Sequence, residues 1–302
     1  MGAQLRAVRR RIRTVQSTAK ITRAQELIAS SRVLKAQQRV RDATPYAREL
    51  IRALEAVVSR SSSVDHPLVN EVAEPSRAAV LIMTSDRGFA GGFNASVLRE
   101  AESLRANLED RGLAVVPYVT GRKGINWHRF RDREMGGEWA GFSEVPAQRN
   151  AAEITEALLE AFLKPADEGG VDELYIVNTQ FVSMLTQRPD IRRMLPLEIE
   201  ETTGESPDGP IPVYEFEPSP GDVLDALLPW YVESRIFHAL LDSAAAEIAS
   251  RRRAMKSATD NANELIEKLT REANKARQAE ITQEISEIVG GANALAETVA
   301  GS

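Results

Sequence analysis

The eleven residues Thr84-Ser85-Asp86-Arg87-Gly88-Phe89-Ala90-Gly91-Gly92-Phe93-Asn94 come nearest, in type and order, to a ligand-binding site. An apolar run precedes them and a helical pattern follows. A glycine-rich turn in that position offers main-chain amides and a helix N-terminus to an anion, the arrangement that holds phosphates. The stretch lacks the Gly-Lys-Ser/Thr ending of a P-loop, and Gly88-x-x-Gly91-Gly92 is not the dinucleotide fingerprint. The competing reading is a tight strand-to-helix turn that needs positive φ or close backbone approach. An enzyme built on this loop would bind ATP or NAD; a structural turn would not.

Other chemistry is thinner still. The chain has no cysteine, which excludes disulfides, zinc–thiolate sites and thiol catalysis. His66, His128 and His238 are far apart and read as surface or packing residues rather than metal ligands. No nucleophile–base pair or carboxylate dyad is spaced for catalysis. Glu264, Glu267, Glu280, Glu284 and Glu287 read as the polar face of a helix. No cofactor and no metal are expected.

Charge is informative. The net charge is −6, yet residues 1–41 carry eleven Lys and Arg against the single acid Glu26, while Glu198–Glu217 is acidic. That asymmetry calls for a charged partner at one end: nucleic acid, anionic lipid or an acidic protein, with a solvated helix face as the plain alternative. The first aromatic is Tyr46, so no rings interleave with the arginines to stack on bases. No stretch approaches the roughly 18 apolar residues of a membrane span. Residues 1–6 lack the apolar centre of a signal peptide, so a soluble, cytoplasmic protein is expected.

The elements that must position these residues can be read from periodicity. Leu5, Val8, Ile12, Val15 and Ala19 step by three and four, a heptad seam. The phase then shifts to Ile21, Ala24 and Ile28. Pro45, which lacks a donor and clashes with the preceding turn, predicts a kink or restart. Leu50, Leu54 and Val57 carry helix on to about residue 60. Ala78–Thr84, Leu113–Thr120 and Leu174–Val177 read as apolar strands alternating with helices at 95–111 and 151–163, a pattern that argues for a parallel α/β sheet covered on both faces. Residues 201–220 read as loop or weak edge strand.

From Ser219 to Ser302 the pattern is helical, with Ser219, Pro220 and Asp222 as a start signal and Pro229 as an early bend. Met255, Ala262, Leu269 and Ala276 recur at seven, with Ala258 and Leu265 between. Ile281, Ile285, Ile288, Ala292, Leu295 and Val299 form a second register that does not join the first. At about 1.5 Å per residue such a helix is roughly 120 Å long, a rod that needs a partner. Pairing of the two terminal helices is the simplest arrangement; two unrelated amphipathic helices on one core is the other. The expected fold is therefore α/β with a long coiled coil: antiparallel N- and C-terminal helices (residues 1–60 and 219–302) around a central Rossmann-like, parallel-sheet α/β domain (77–205).

Three segments carry a family resemblance: residues 1–40, with Val15-Gln16-Ser17-Thr18-Ala19-Lys20-Ile21-Thr22; the Ser85–Asn94 loop; and residues 255–294, with Ala258-Thr259-Asp260-Asn261-Ala262 and Arg277-Gln278-Ala279-Glu280-Ile281-Thr282-Gln283-Glu284-Ile285. Together they resemble the γ subunit of F-type, H+-transporting ATP synthases. The resemblance implies a central-stalk rotor, non-catalytic by itself. Its coiled coil would enter the ring of α and β subunits, and its α/β domain would sit with the ε subunit on the c-ring. Proton-driven rotation would thereby be coupled to conformational change at the β-subunit sites. It also implies a peripheral position on the cytoplasmic face of a bacterial plasma membrane, reached indirectly through the complex, with no nucleic-acid partner. Arg277, Gln278 and Thr282 match the positions that contact a β-subunit loop, and Lys20 and Arg23 those that face an acidic β segment. Where the family often has Met-x-Met-Val, this chain has Gln25-Glu26-Leu27-Ile28. A coiled-coil nucleic-acid-binding protein using the arginine-rich N-terminus is the alternative that residue types alone allow.

Overall fold

The computed structural model describes residues 2–58, 66–165, 168–197, 217 and 219–300; the side chains of residues 2, 3, 55, 58, 220 and 293–300 are outside that description. The acidic stretch and the loop read at 201–220 fall largely outside the described residues, as do Leu295 and Val299 as side chains. The elements, in order, are α1 (Gly2–Val58), β1 (Arg77–Met83), α2 (Phe93–Asp110), β2 (Ala114–Thr120), α3 (Arg122–Arg129), β3 (Gly137–Trp139), α4 (Gln148–Leu163), β4 (Glu173–Phe181), β5 (Gln187–Leu195) and α5 (Pro220–Ala300). The chain divides into two compact units: residues 1–28 with 254–302, and residues 29–253.

In the larger unit the sheet order is β3-β2-β1-β4-β5. β1 pairs in parallel with β2 and β4, and β2 with β3. The expectation of an all-parallel sheet needs correction at one edge, because β5 runs antiparallel to β4. Residues 182–186 join them as a tight connection too short for a helical crossover. β5 escaped sequence reading because Gln187-Arg188-Pro189-Asp190-Ile191-Arg192-Arg193 is polar, as befits an exposed edge. The short elements α3 and β3 were not expected either.

Alternation along β1 shows why its run is apolar throughout. Ala79, Leu81 and Met83 join one core with Leu174, Ile176, Ile154 and Leu158, while Ala78, Val80 and Ile82 join another with Val97, Ala101, Leu104 and Val177. Successive strand residues point to opposite faces, so a sheet covered on both sides needs apolar residues at every position. The first core is completed by Leu54 and Val57 of α1 and by Leu224, Leu228, Val232, Ile236 and Leu240 of α5. Further along, Ala29, Val33 and Ala36 of α1 pack with Ala245, Ile248 and Ala249 of α5, and the Arg252 guanidinium donates to the Ser30 hydroxyl (2.8 Å). The two helices are therefore antiparallel within this unit.

α1 continues through Pro45, and α5 through Pro229, so neither proline ends its helix. The expected restart at Pro45 does not occur. Proline removes only one intrahelical bond, and beside it the Thr44 hydroxyl donates back to the Val40 carbonyl (2.8 Å). The α5 start follows the expected signal: the Ser219 hydroxyl accepts from the Asp222 amide (3.2 Å) and donates to its carboxylate (2.5 Å).

In the smaller unit the heptad of α1 is not interrupted. Leu5, Ala19, Thr22 and Glu26 are buried and Val8, Ile12 and Val15 half-buried, whereas Ile21, Ala24 and Ile28 are exposed. The expected phase shift is therefore wrong. The seam keeps its three-and-four step by accepting two polar residues, Thr22 and Glu26. The Thr22 hydroxyl lies 2.7 Å from that of Thr259, and Glu26 accepts from Arg23 (2.8 Å). On α5 the covered positions are Met255, Thr259, Ala262, Leu269 and Ala273, with Ala258, Leu265, Ile266, Ala276 and Glu280 half-covered. From Ile281 to Ala292 every residue is exposed.

Candidate functional site

The glycine loop closes the carboxyl end of β1, where doubly wound α/β sheets place their ligands. Here that position is filled from within. Asp86 takes the role of the anion: its carboxylate accepts from the backbone amides of Arg122 (3.2 Å), Gly141 (2.8 Å) and Ser143 (3.0 Å). Burial pushes its pKa up, but those amides and the Ser143 hydroxyl outweigh it and hold the carboxyl below its usual range. A phosphate at this point would meet a fixed negative charge.

The crevice itself holds α5. The Ser243 hydroxyl accepts from the Thr179 amide (3.2 Å) and reaches the Met83 sulfur (3.9 Å), so α5 touches the ends of both β1 and β4. Ala246 packs with Ala90, Phe93 and Phe181. Arg251 donates to the carbonyls of Gly88 (3.3 Å) and Arg87 (3.4 Å). Two positions force the loop geometry. Phe89 has φ +62° and is 81% exposed, and a Cβ on Gly121 (φ +87°) would lie 2.1 Å from the Thr84 carbonyl oxygen. Within the loop, positive φ falls at Phe89 and at Gly91 (φ +58°), so the structural-turn reading accounts for Gly91, while Gly88 and Gly92 have ordinary backbone and room for a Cβ.

Arg251-Arg252-Arg253 separates into three roles because consecutive helical residues point about 100° apart. Arg251 is buried against Glu247 (2.6 Å) and Glu144 (3.0 Å). Arg252 reaches α1 at Ser30, and Arg253 donates to the Leu185 carbonyl in the β4–β5 connection and to Gln187 (2.9 Å) at the start of β5. The spacing of four between Glu247 and Arg251 is the sequence signal that points to this cluster.

The five residues matched by resemblance all lie in the smaller unit, but not in one place. Lys20 and Arg23 are exposed on α1 beside Thr22, which meets Thr259. Arg277 lies 18 residues along α5 from Thr259, about 27 Å at helical rise. Lys20 makes no side-chain bond among the described residues, whereas Arg23 is engaged by Glu26. Arg277 and Gln278 are exposed and without a side-chain partner among the described residues. Thr282 donates its hydroxyl proton to the Gln278 carbonyl (3.0 Å), leaving its oxygen free to accept.

These three polar groups border the change of apolar face. Continuing the covered positions beyond Glu280 by three and four would reach Gln283 and Glu287. The apolar residues are instead Ile281, Ile285 and Ile288, one or two positions further on, so the apolar stripe turns away from the covered face by about 100° or more. Ile288 is 71% exposed. Near the opposite end of the sequence, Arg6, Arg9, Arg10 and Arg13 share one face of α1 by the same helical spacing and border a shallow groove with Thr14 and Ser17. What these surfaces offer is recognition, by a guanidinium, an amide and a hydroxyl beside an apolar stripe, and by a basic face.

Among known proteins, the ATP synthase family model matches residues 4–295. The ATP synthase gamma chain of Acidothermus cellulolyticus is 63% identical over 298 residues, covering 99% of both chains. That of Thermobifida fusca is 56% identical, covering 100% of both. Among solved structures, the rotor of the Euglena gracilis mitochondrial ATP synthase superposes with a TM-score of 0.65 at 14% identity, covering 93% of this chain and 100% of that one. The central stalk and c-ring assembly from Tetrahymena thermophila includes a chain with a TM-score of 0.56 at 19% identity, covering 79% of this chain and 99% of that one.

Proposed function

This chain belongs to the ATP synthase gamma-chain family, and from that premise we propose that it is the central-stalk rotor subunit through which proton-driven rotation of a c-ring changes the conformation of β-subunit catalytic sites. It carries no reaction of its own. The observation that carries this reading is the occupation of the sheet crevice by α5. A helix fills the place where this kind of fold holds a nucleotide, and its residues Ser243, Ala246 and Arg251 are fastened to the sheet ends and the glycine loop. Such a helix is suited to carry torque, because a load on it falls on a packed core rather than on a mobile loop.

The same helix supplies the contact surface. Arg277, Gln278 and Thr282 recognise a β-subunit loop, while Ile281, Ile285 and Ile288 meet an apolar surface of the ring. Lys20 and Arg23 face an acidic segment of β. The change of apolar face beside Arg277 makes the surface asymmetric, and an asymmetric surface is what lets rotation present different contacts to successive sites. The α, β and ε subunits and the c-ring are the partners. The position is peripheral, at the cytoplasmic face of a bacterial membrane; no helix among the described residues is long and apolar enough to cross one.

The test is rotation. The complex is assembled with this chain, a bead is fixed to it, and the α/β ring is immobilised. ATP should drive stepwise turning of the bead. Full ATP turnover with a stationary chain, or a purified complex that couples normally without it, would overturn the assignment.

A further inference from the structure

We propose that Glu247, Arg251 and Glu144 form a proton-linked latch that fastens the glycine loop and the segment before α4 to α5, and that the latch loosens as pH rises through neutrality. It rests on contacts within the larger unit alone and stands apart from the rotor assignment.

The geometry places one carboxylate at a disadvantage. Glu247 is 1% exposed, and its only ion-pair partner among the described residues is Arg251, at 2.6 Å. Arg251 is shared: it also donates to Glu144 (3.0 Å) and to the carbonyls of Gly88 and Arg87. Glu144 has further cations, Arg32 of α1 at 2.5 Å and Arg87 of the glycine loop at 3.8 Å. Glu247 therefore faces Arg251 from its own helix, and Ser143 and Glu144 from the segment before α4. Arg32 and Arg87 stand behind Glu144. A charge held in so enclosed a place by a fraction of one guanidinium is poorly compensated.

Burial accordingly pushes the Glu247 carboxyl up to about 7, against the pull of Arg251 and the Ser143 hydroxyl and with the repulsion of Glu144. With a proton on Glu247, the carboxyl is neutral and Arg251 serves Glu144 and the two loop carbonyls. Without it, an opening that admits water to Glu247 becomes easier. The direction follows from linkage. A carboxyl raised above its solvated value of 4.5 favours the closed state fully below that pH, and loses the advantage as pH climbs to about 7. Between pH 6 and pH 8 the ratio of open to closed should rise about tenfold and level off.

The test is amide hydrogen exchange on the full chain, read in peptides covering residues 84–94 and 140–147 and corrected for intrinsic rates. Protection should fall about tenfold from pH 6 to pH 8 in the wild type. In Glu247→Gln it should stay flat. Glu144→Gln, which returns Arg251 to Glu247 and removes a repulsive charge, should move the fall to lower pH. Equal protection of the wild type at pH 6 and pH 8 overturns the latch. So does a fall that survives in Glu247→Gln. Should that variant not fold, a transition unmoved in Glu144→Gln does the same.

Discussion

The hydroxyls of Thr22 and Thr259, 237 positions apart in sequence, meet at 2.7 Å inside the helix pair. Each also has a carbonyl of its own helix in reach, Ala19 for Thr22 (3.1 Å) and Met255 for Thr259 (2.9 Å). Two hydroxyl protons serve three possible bonds, so either threonine stays satisfied when the other is removed. Thr22→Val and Thr259→Val should each cost about 1 kcal/mol or less, and a double-mutant cycle should give a coupling of about 0.5–1.5 kcal/mol. Thermal unfolding of the four full-length chains measures it. Strict additivity would remove this pair as a determinant of helix register.

The three consecutive arginines should separate in effect. Arg251→Ala strands the buried Glu247 carboxylate and should destabilise the chain by about 3–5 kcal/mol at pH 8. Arg252→Ala and Arg253→Ala remove hydrogen bonds at partly open positions and should cost roughly 1 kcal/mol each. Urea denaturation of the three variants checks the order. An Arg251→Ala loss no larger than the other two would contradict the buried pairing.

Asp86 should confer acid sensitivity. Its carboxyl is held below the usual 3.8, so its contribution is present above that value and is lost as pH falls through the lower, folded-state pKa. Asp86→Asn keeps the shape but not the charge-assisted acceptor for three amides. It should lower stability by about 1–2 kcal/mol at pH 7, with the difference from wild type shrinking toward pH 3. Melting temperatures at pH 3, 5 and 7 read this directly. A difference independent of pH would show that the charge is immaterial.

Replacing Arg277, Gln278 and Thr282 together by alanine should leave the chain as stable as before, within about 0.5 kcal/mol, because all three are exposed. ATP turnover by the assembled complex should fall severalfold. Circular dichroism of the chain and ATP hydrolysis by the complex separate the two effects. Normal turnover with intact assembly would remove these residues from coupling.

How far the fold was legible depends on whether a segment's neighbours are implied by its own pattern. β1, β2 and β4 were legible because a strand buried on both faces must be apolar at each position. β5 was not, because one exposed edge strand has no such requirement and Pro189 and three arginines disguise it. The seam of α1 is legible in hydropathy as far as Ala19 and not beyond. Apolar Ile21, Ala24 and Ile28 outbid Thr22 and Glu26 on hydropathy, while the structure satisfies those two with Thr259 and Arg23. A polar residue can occupy a seam once a partner is present, and the partner of Thr22 lies more than two hundred residues away.

The sequence by itself determined the two long helices, the alternating α/β segment between them, the absence of thiol chemistry, the basic N-terminal face and the break in apolar register beside Arg277. These follow from local periodicity and residue type. Only the tertiary structure decided what fills the sheet crevice. That Asp86 stands where an anion would bind, that α5 occupies the switch point, and that Glu247 shares a single arginine with Glu144 are matters of distance between segments far apart in sequence. Burial and charge compensation are set by those distances, and no single stretch of sequence carries them.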